Sequence, residues 1–147
     1  MGCDIHCHVE IKVAGEWLHW NHPDVPRNYE LFGKMAGVRC EGPPIAQPRG
    51  VPDDATPTTR WHYQLDGADA HTASWLCAGE MALLAAWCHE QWPPHKKAVD
   101  PWGWKYNVHG FEAWFGYLDG DTWRGCVECP DSRDEIEDAR CVFWFDN

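Results

Sequence analysis

The first ten residues, Met-Gly-Cys-Asp-Ile-His-Cys-His-Val-Glu, alternate between titratable and apolar side chains. Because neighbouring side chains of a β-strand point to opposite faces, this segment predicts a strand with two different faces. One face carries Asp4, His6, His8 and Glu10, and the other carries Cys3, Ile5, Cys7, Val9 and Ile11. A strand with an apolar face belongs in a sheet packed on a hydrophobic core.

The titratable face predicts a metal site or an acid–base site. Imidazole and carboxylate groups bind zinc, manganese and iron, and side chains two residues apart on a strand are close enough to hold one ion. Asp4, His6 and His8 are the candidate ligands on this strand. His19 and His22 are near enough in sequence to approach them. The alternative is a solvated strand face without a ligand.

A second carboxylate–imidazole pair repeats this spacing. Asp69 and His71 stand two residues apart, as Asp4 and His6 do. The two pairs could converge on one metal or form a general acid and a general base, which makes all four residues candidate catalytic groups and His71 a further candidate ligand. In the alternative interpretation, Thr72 or Ser74 caps a helix and the preceding residues form a solvated loop.

Length and charge limit the classes of partner. A chain of 147 residues predicts one domain with a substantial core. The formal net charge of −11 argues against binding to duplex nucleic acid or to an anionic membrane surface, because both need clustered Lys and Arg. A small phosphorylated molecule or nucleotide needs only a few well-placed arginines. The start lacks the features of a secretory signal, which predicts a cytoplasmic protein.

Three residues are candidate ligand contacts. Arg49 lies in a stiff loop rich in Pro and Gly over residues 40–60, where it could clamp a phosphate or could simply be solvated. Trp75 could stack on a base, although most of the eleven Trp residues should serve packing. Arg140 lies on the polar face of the last predicted strand.

The sequence predicts an α+β fold with a mostly antiparallel sheet. An N-terminal hairpin turns at Ala14-Gly15, the apolar C-terminal segment 139–147 predicts a central strand beside the first one, and residues 60–64 predict a short strand. Two helices are expected, over about 28–38 with Asn28 as N-cap and over about 76–92 before Pro93-Pro94.

The cysteines predict no disulfide framework in a cytoplasmic protein. Cys126 and Cys129 form a CxxC motif, which is half of a structural zinc site, and the sequence has no second CxxC.

Five segments in order resemble a family of small proteins of tailed phages and prophages. They are the start Met-Gly-Cys-Asp-Ile-His, Arg27 to Phe32, Pro48 to Pro52, His71 to Leu76, and the end Val142 to Asn147. The family has no known activity, so the resemblance implies only a viral origin and a bacterial cytoplasm as the location. Relatives often carry an aromatic residue where this chain has His8.

Three functions fit these observations. The first is a small hydrolase that acts on a phosphorylated small molecule such as a nucleotide immune signal of the host and could use a divalent metal such as zinc or manganese. The second is a phage protein that binds and sequesters such a signal without chemistry. The third is a structural or host-takeover protein that binds a protein partner. The sequence favours the first and leaves the substrate and the oligomeric state undetermined.

Overall fold

One antiparallel sheet organises the part of the chain that the computed structural model describes, residues 2–91 and 136–147. Its strand order is β2-β1-β4-β3. The elements in chain order are β1 (Asp4–Val13), β2 (Glu16–Asn21), α1 (Tyr29–Ala36), α2 (Pro57–Asp66), β3 (His71–Cys77), α3 (Ala78–Gln91) and β4 (Ile136–Asp146). The α+β class is therefore confirmed.

The N-terminal hairpin and the C-terminal strand form as the sequence predicts. Ala14 and Gly15 both have positive φ, which suits the tight turn between β1 and β2. β4 lies between β1 and β3 and pairs with the whole of β1, from Asp4 opposite Asp146 to Val13 opposite Ile136. The last strand is thus central in the sheet.

The apolar face of the sheet holds the hydrophobic core. The apolar residues of β1 pack there with Phe143 and Phe145 of β4 and with the buried sides of α1 and α3. Asn28 caps α1 by accepting a hydrogen bond from the Leu31 backbone N–H at 3.0 Å, and Gly37 ends it in the left-handed conformation. None of the helices in the described ranges is long and apolar enough to cross a membrane.

Helix α2 covers the opposite face, and the sequence analysis missed it. The strand predicted over residues 60–64 is wrong, because these residues lie inside α2. Thr56 caps this helix and Pro57 occupies its first turn, which are ordinary signals for a helix start. The inward side of α2 is polar because it packs on the titratable side of the sheet, so no apolar stripe marks the helix in the sequence.

The second of the two predicted helices, expected from about residue 76, corresponds to α3 and begins at Ala78. The residues before it form β3, so the loop expected around Asp69 to Ser74 is a strand from His71 onwards. Ser74 is not a helix cap, since its hydroxyl accepts the Arg49 backbone N–H at 3.2 Å. The end predicted at residue 92 lies outside the described residues.

A buried ion pair attaches α2 to the sheet. The Glu10 side chain is fully buried and accepts hydrogen bonds from the Thr56 backbone N–H, the Thr59 hydroxyl and Arg140 Nε, each at 2.8 Å. Arg140 also donates to the Asp54 carboxylate at 2.8 Å. The pair thus connects β1, β4 and the start of α2.

Replacing Glu10 with Ala should destabilise the fold severely. Arg140 would keep a buried charge with one of its two carboxylate partners gone, and breaking a buried pair in this way costs about 3–5 kcal/mol. The exposed Glu16→Ala on β2 is the matched control and should change stability by less than about 0.5 kcal/mol. Urea unfolding followed by Trp fluorescence measures both variants, and equal midpoints for the two would contradict the assignment.

Candidate metal centre

Histidines from three elements meet on the polar face of the sheet. The histidine cluster, as we call it, consists of His6 and His8 on β1, His19 on β2, His22 just after β2 and His62 on α2. The indole of Trp144 on β4 lies beneath it, stacked against the rings of His6 and His8 with centroids 5.9 and 5.3 Å away.

Simple periodicity brings these groups together. His6 and His8 share a face of β1 because they are two residues apart. His62 and Asp66 are four residues apart on α2, so both project from the same side of the helix. Since that side packs on the sheet, His62 reaches His8 and Asp66 reaches Trp144 and His6.

Three of these side chains, which we call the open group, are partly exposed to solvent and suited to a metal ion. His6, His62 and Asp66 keep 24%, 27% and 21% of their side-chain surface exposed. Asp66 Oδ2 lies 3.8 Å from His6 Nε2 and 3.6 Å from His62 Nε2. Ligand atoms of a tetrahedral zinc ion are about 3.3 Å apart, given bonds of about 2.0–2.1 Å. All three ligand atoms lie within 4.8 Å of one another, so the open group must contract to bind an ion in tetrahedral geometry.

Two further contacts fix the carboxylates at this group. Trp144 Nε1 donates a hydrogen bond to Asp66 Oδ2 at 2.7 Å. Asp146, the last residue of β4, places Oδ2 2.8 Å from His6 Nε2, with 31% of its side chain exposed. At this distance Asp146 and His6 Nε2 are hydrogen-bonded and too close to bind one ion together, so Asp146 lies next to the open group as a proton acceptor and not as one of its ligands.

A second set of three histidines fits a metal less well. His8 Nε2 and His62 Nδ1 are 2.7 Å apart, which is a hydrogen-bond distance and too short for two ligands of one ion. The rings of His8 and His22 are stacked 4.3 Å apart and almost parallel, at 8°. Because the lone pairs of an imidazole lie in the ring plane, stacked rings cannot both point at an ion between them.

The buried His8 instead orients His62. Its Nδ1 lies 2.8 Å from His19 Nε2, so His62, His8 and His19 form a chain of hydrogen-bonded imidazoles. If His62 Nε2 carries the lone pair for a metal, His62 Nδ1–H donates to His8, and His8 Nδ1–H donates to His19. Each hydrogen bond in the chain then has one donor and one acceptor, which is the usual arrangement behind a metal-bound histidine.

Burial keeps the chain of imidazoles uncharged. Burial, followed by the neighbouring imidazoles, lowers the pKa of His8 to about 3. Burial also lowers the pKa of His19 and of His62, although the carboxylates of Glu10 and Asp66 respectively oppose these shifts. Neutral imidazole is the form that binds a metal.

The other predicted catalytic and metal residues are not part of the open group, although Asp4 lies beside it, opposite Asp146. Asp4 is held by Arg27 in a two-pronged ion pair, with both distances 2.8 Å, and this hydrogen-bonded contact lowers the pKa of Asp4. Asp69 is exposed in the turn before β3. His71 stacks on Phe145, which faces the hydrophobic core, so His71 and His6 lie on opposite sides of the sheet. The structure therefore does not bring the two carboxylate–imidazole pairs together.

The three predicted ligand contacts do meet, in a different place. Arg49, Trp75 and Arg140 line one open pocket of about 620 Å³ on the polar side of the sheet. The pocket lies near the start of α2, whereas the open group lies near its end.

Sequence reasoning missed His62 and Asp66, which contribute two of the three ligands of the open group. Their spacing of four residues was visible, together with the start signals at Thr56 and Pro57. Reading residues 57–66 as a helix would have placed both side chains on one face. The possible zinc pair Cys126 and Cys129 lies outside the described residues.

Comparison of the chain with protein-family models, with curated proteins and with solved structures finds no match. A metal-dependent activity is therefore supported by the site geometry and not by any relative.

Metal binding should depend on the open group and not on His71. We expect protein purified without a His-tag to bind about one equivalent of zinc or manganese, and the double variant His6→Ala/Asp66→Ala to lose it. His71→Ala is the matched control and should retain the metal, because its ring lies across the sheet. Elemental mass spectrometry after dialysis measures all three proteins. Loss of metal in His71→Ala alone would contradict this assignment.

Replacing His8 with Phe should weaken metal binding without abolishing it. Phe preserves the stacking on Trp144 but removes the hydrogen bond that orients His62, and such orienting contacts are worth roughly 10–100-fold in metal affinity. Competitive titration with a zinc-binding dye measures the change, and unfolding midpoints show whether the variant is folded. An unchanged affinity would remove His8 from this role.

Proposed function

We propose that the protein is a metal-dependent hydrolase of a phosphorylated small molecule, with its active site at the open group. The observation that carries this proposal is the spacing of 3.6–3.8 Å between two imidazole nitrogens and a carboxylate oxygen on a partly exposed face. The ligand types support zinc or manganese, since imidazole with carboxylate suits both ions.

The residues around the open group supply the rest of a hydrolytic site. A divalent ion, when bound, lowers the pKa of a water and polarises a phosphoryl oxygen. Asp146 lies next to His6 and is partly exposed, so it can take the proton of an attacking water. His62 is held in place by His8, and Asp66 by Trp144. These contacts fix the donors before the ligand arrives.

A small phosphorylated substrate would be held at the open group mainly by a bound divalent ion, because Asp66 and Asp146 flank His6 and the charge of Arg27 is balanced by Asp4. Arg27 is exposed, and its partner Asp4 donates its backbone N–H to Asp146 at 3.3 Å. A cationic side chain therefore lies at the same end of β1 as the open group, where it can contact a phosphate that reaches the metal. The resemblance to phage proteins adds the proposal that the substrate is a nucleotide immune signal in the bacterial cytoplasm.

A non-catalytic ligand-binding protein is the second candidate. The observation in its favour is the separate open pocket near the start of α2, which two Trp side chains line. A protein that only sequesters a ligand would bind it there with no need for the open group. Recovery of a tightly bound small molecule without turnover would favour this candidate.

Assays of hydrolysis and of metal content should distinguish the metal ligands from the proposed general base. On p-nitrophenyl phosphate and bis-p-nitrophenyl phosphate with added zinc or manganese, we expect Asp66→Ala to lose both metal and activity. Asp146→Asn should keep the metal and lose about 10²–10⁴-fold in kcat, which is the usual contribution of a general base.

The control for this experiment is Asp69→Asn, which changes an exposed carboxylate away from the cluster and should behave as wild type. Full activity in Asp146→Asn would exclude it as the base. Wild-type protein that binds the metal and hydrolyses neither ester nor any nucleotide in a panel would contradict the hydrolase.

A further inference from the structure

The pocket near the start of α2 is a second site, distinct from the open group. Arg140 at the pocket and Trp144 beneath the cluster are four residues apart on β4, about 13 Å along the strand. Val142 and the buried His8 opposite it lie between them on this face, and the contact of Glu10 with Thr56 and Thr59 closes the face under α2 next to Arg140. A ligand in the pocket therefore does not reach the open group through the interior.

Cationic side chains of the protein itself lie over two Trp rings in the pocket. The guanidinium carbon of Arg140 lies 3.9 Å from the centroid of the Trp17 ring, and that of Arg49 lies 4.4 Å from the centroid of the Trp75 ring. The ammonium of Lys12 lies 5.8 Å from the same Trp17 ring. Aromatic faces attract cations through the ring quadrupole, so the walls of this pocket are of a cation-binding type.

The pocket arginines are poorly placed to bind an anion. Arg140 is only 5% exposed, and it is bonded to Glu10 and Asp54. Arg49 is ion-paired with Glu80, and this hydrogen bond, added to one from Cys77, keeps the pKa of Glu80 below its usual range against the opposing effect of burial. The charges of both arginines are thus compensated from within the protein.

The charged groups that a ligand can reach are mainly carboxylates. Asp53, Asp54 and Asp138 line the pocket and are exposed, and among the described residues that line it the only exposed cation is the paired Arg49. Lys12 faces Asp138 across the β1–β4 pairing and compensates one carboxylate at most. The accessible surface of the pocket is therefore net negative between aromatic walls.

We infer that this pocket binds an organic cation carrying a guanidinium or primary ammonium group. Both Trp side chains are half-buried, so the part of each ring that the arginines leave uncovered can make a cation–π contact, and the exposed carboxylates provide charge-assisted hydrogen bonds to the ligand N–H groups. This site goes beyond the proposed hydrolase and does not depend on it. It also assigns Arg49 and Arg140 the role of holding the Trp walls in place instead of contacting a phosphate.

Calorimetric titration with two matched ligands tests the inference. Argininamide carries the guanidinium, and citrullinamide replaces it with an uncharged ureido group of nearly the same shape. At low ionic strength we expect argininamide to bind at least about tenfold more tightly, in the presence of either zinc or EDTA. A Gly-Arg-Gly peptide that binds more tightly than argininamide would support the same chemistry and identify a protein side chain as its source.

Two double variants, one inside and one outside the pocket, test where argininamide binds. Asp53→Asn/Asp138→Asn should weaken argininamide binding by roughly tenfold. Asp24→Asn/Asp69→Asn removes the same charge at exposed positions outside the pocket and should have little effect. Equal affinities for the two ligands, no binding of argininamide, equal losses in the two double variants, or preferential binding of AMP would each overturn the inference. Because EDTA is present in one arm, failure here is distinct from failure of the metal site.

Discussion

The buried contact between Glu10 and Arg140 determines how the polar side of the sheet is built. Both residues come from strands whose other face is apolar, so the sheet presents a charged surface that water would normally cover. Helix α2 covers it instead, and its start is held by the same carboxylate through Thr56 and Thr59. A buried ion pair adds little net stability, but it tolerates few alternative arrangements. Its value here is to fix the position of α2.

The position of α2 in turn creates two sites of different character. Its last turn brings His62 and Asp66 over β1 and β4, where they meet His6. Its first turn follows the loop that carries Asp53 and Asp54, which border the pocket with the two Trp rings. The last turn of this helix therefore places His62 and Asp66 at one site, and the loop before the helix places exposed carboxylates at the other. A metal and an organic cation could then bind on one face of the sheet without sharing a contact.

The parts of the fold that could be predicted are those with a regular contrast between polar and apolar residues. The parity of β1 and the apolar β4 identified the hairpin, the central strand and the core face. Helix α2 could not be found from such contrast, because Thr59, His62 and Asp66 face a polar surface and its outer side exposes Trp61 and Leu65. For the same reason the predicted site contained His6 and His8 but took its remaining ligands from Asp4 and His71, which only spacing in the sequence connected to them.

The chemistry of the histidine cluster argues for a ligand-binding role over a purely structural one. Several imidazoles lie with centroids 4.3–5.1 Å apart, and burial keeps His8 uncharged, so these rings cannot gain stability from ion pairs with one another. Apolar side chains of similar size would fill the same space with no polar atoms left to satisfy. The histidines are therefore less stabilising than apolar side chains would be, but they orient His62 Nε2 toward Asp66 and His6. Pre-oriented imidazole nitrogens beside carboxylates suit a divalent cation.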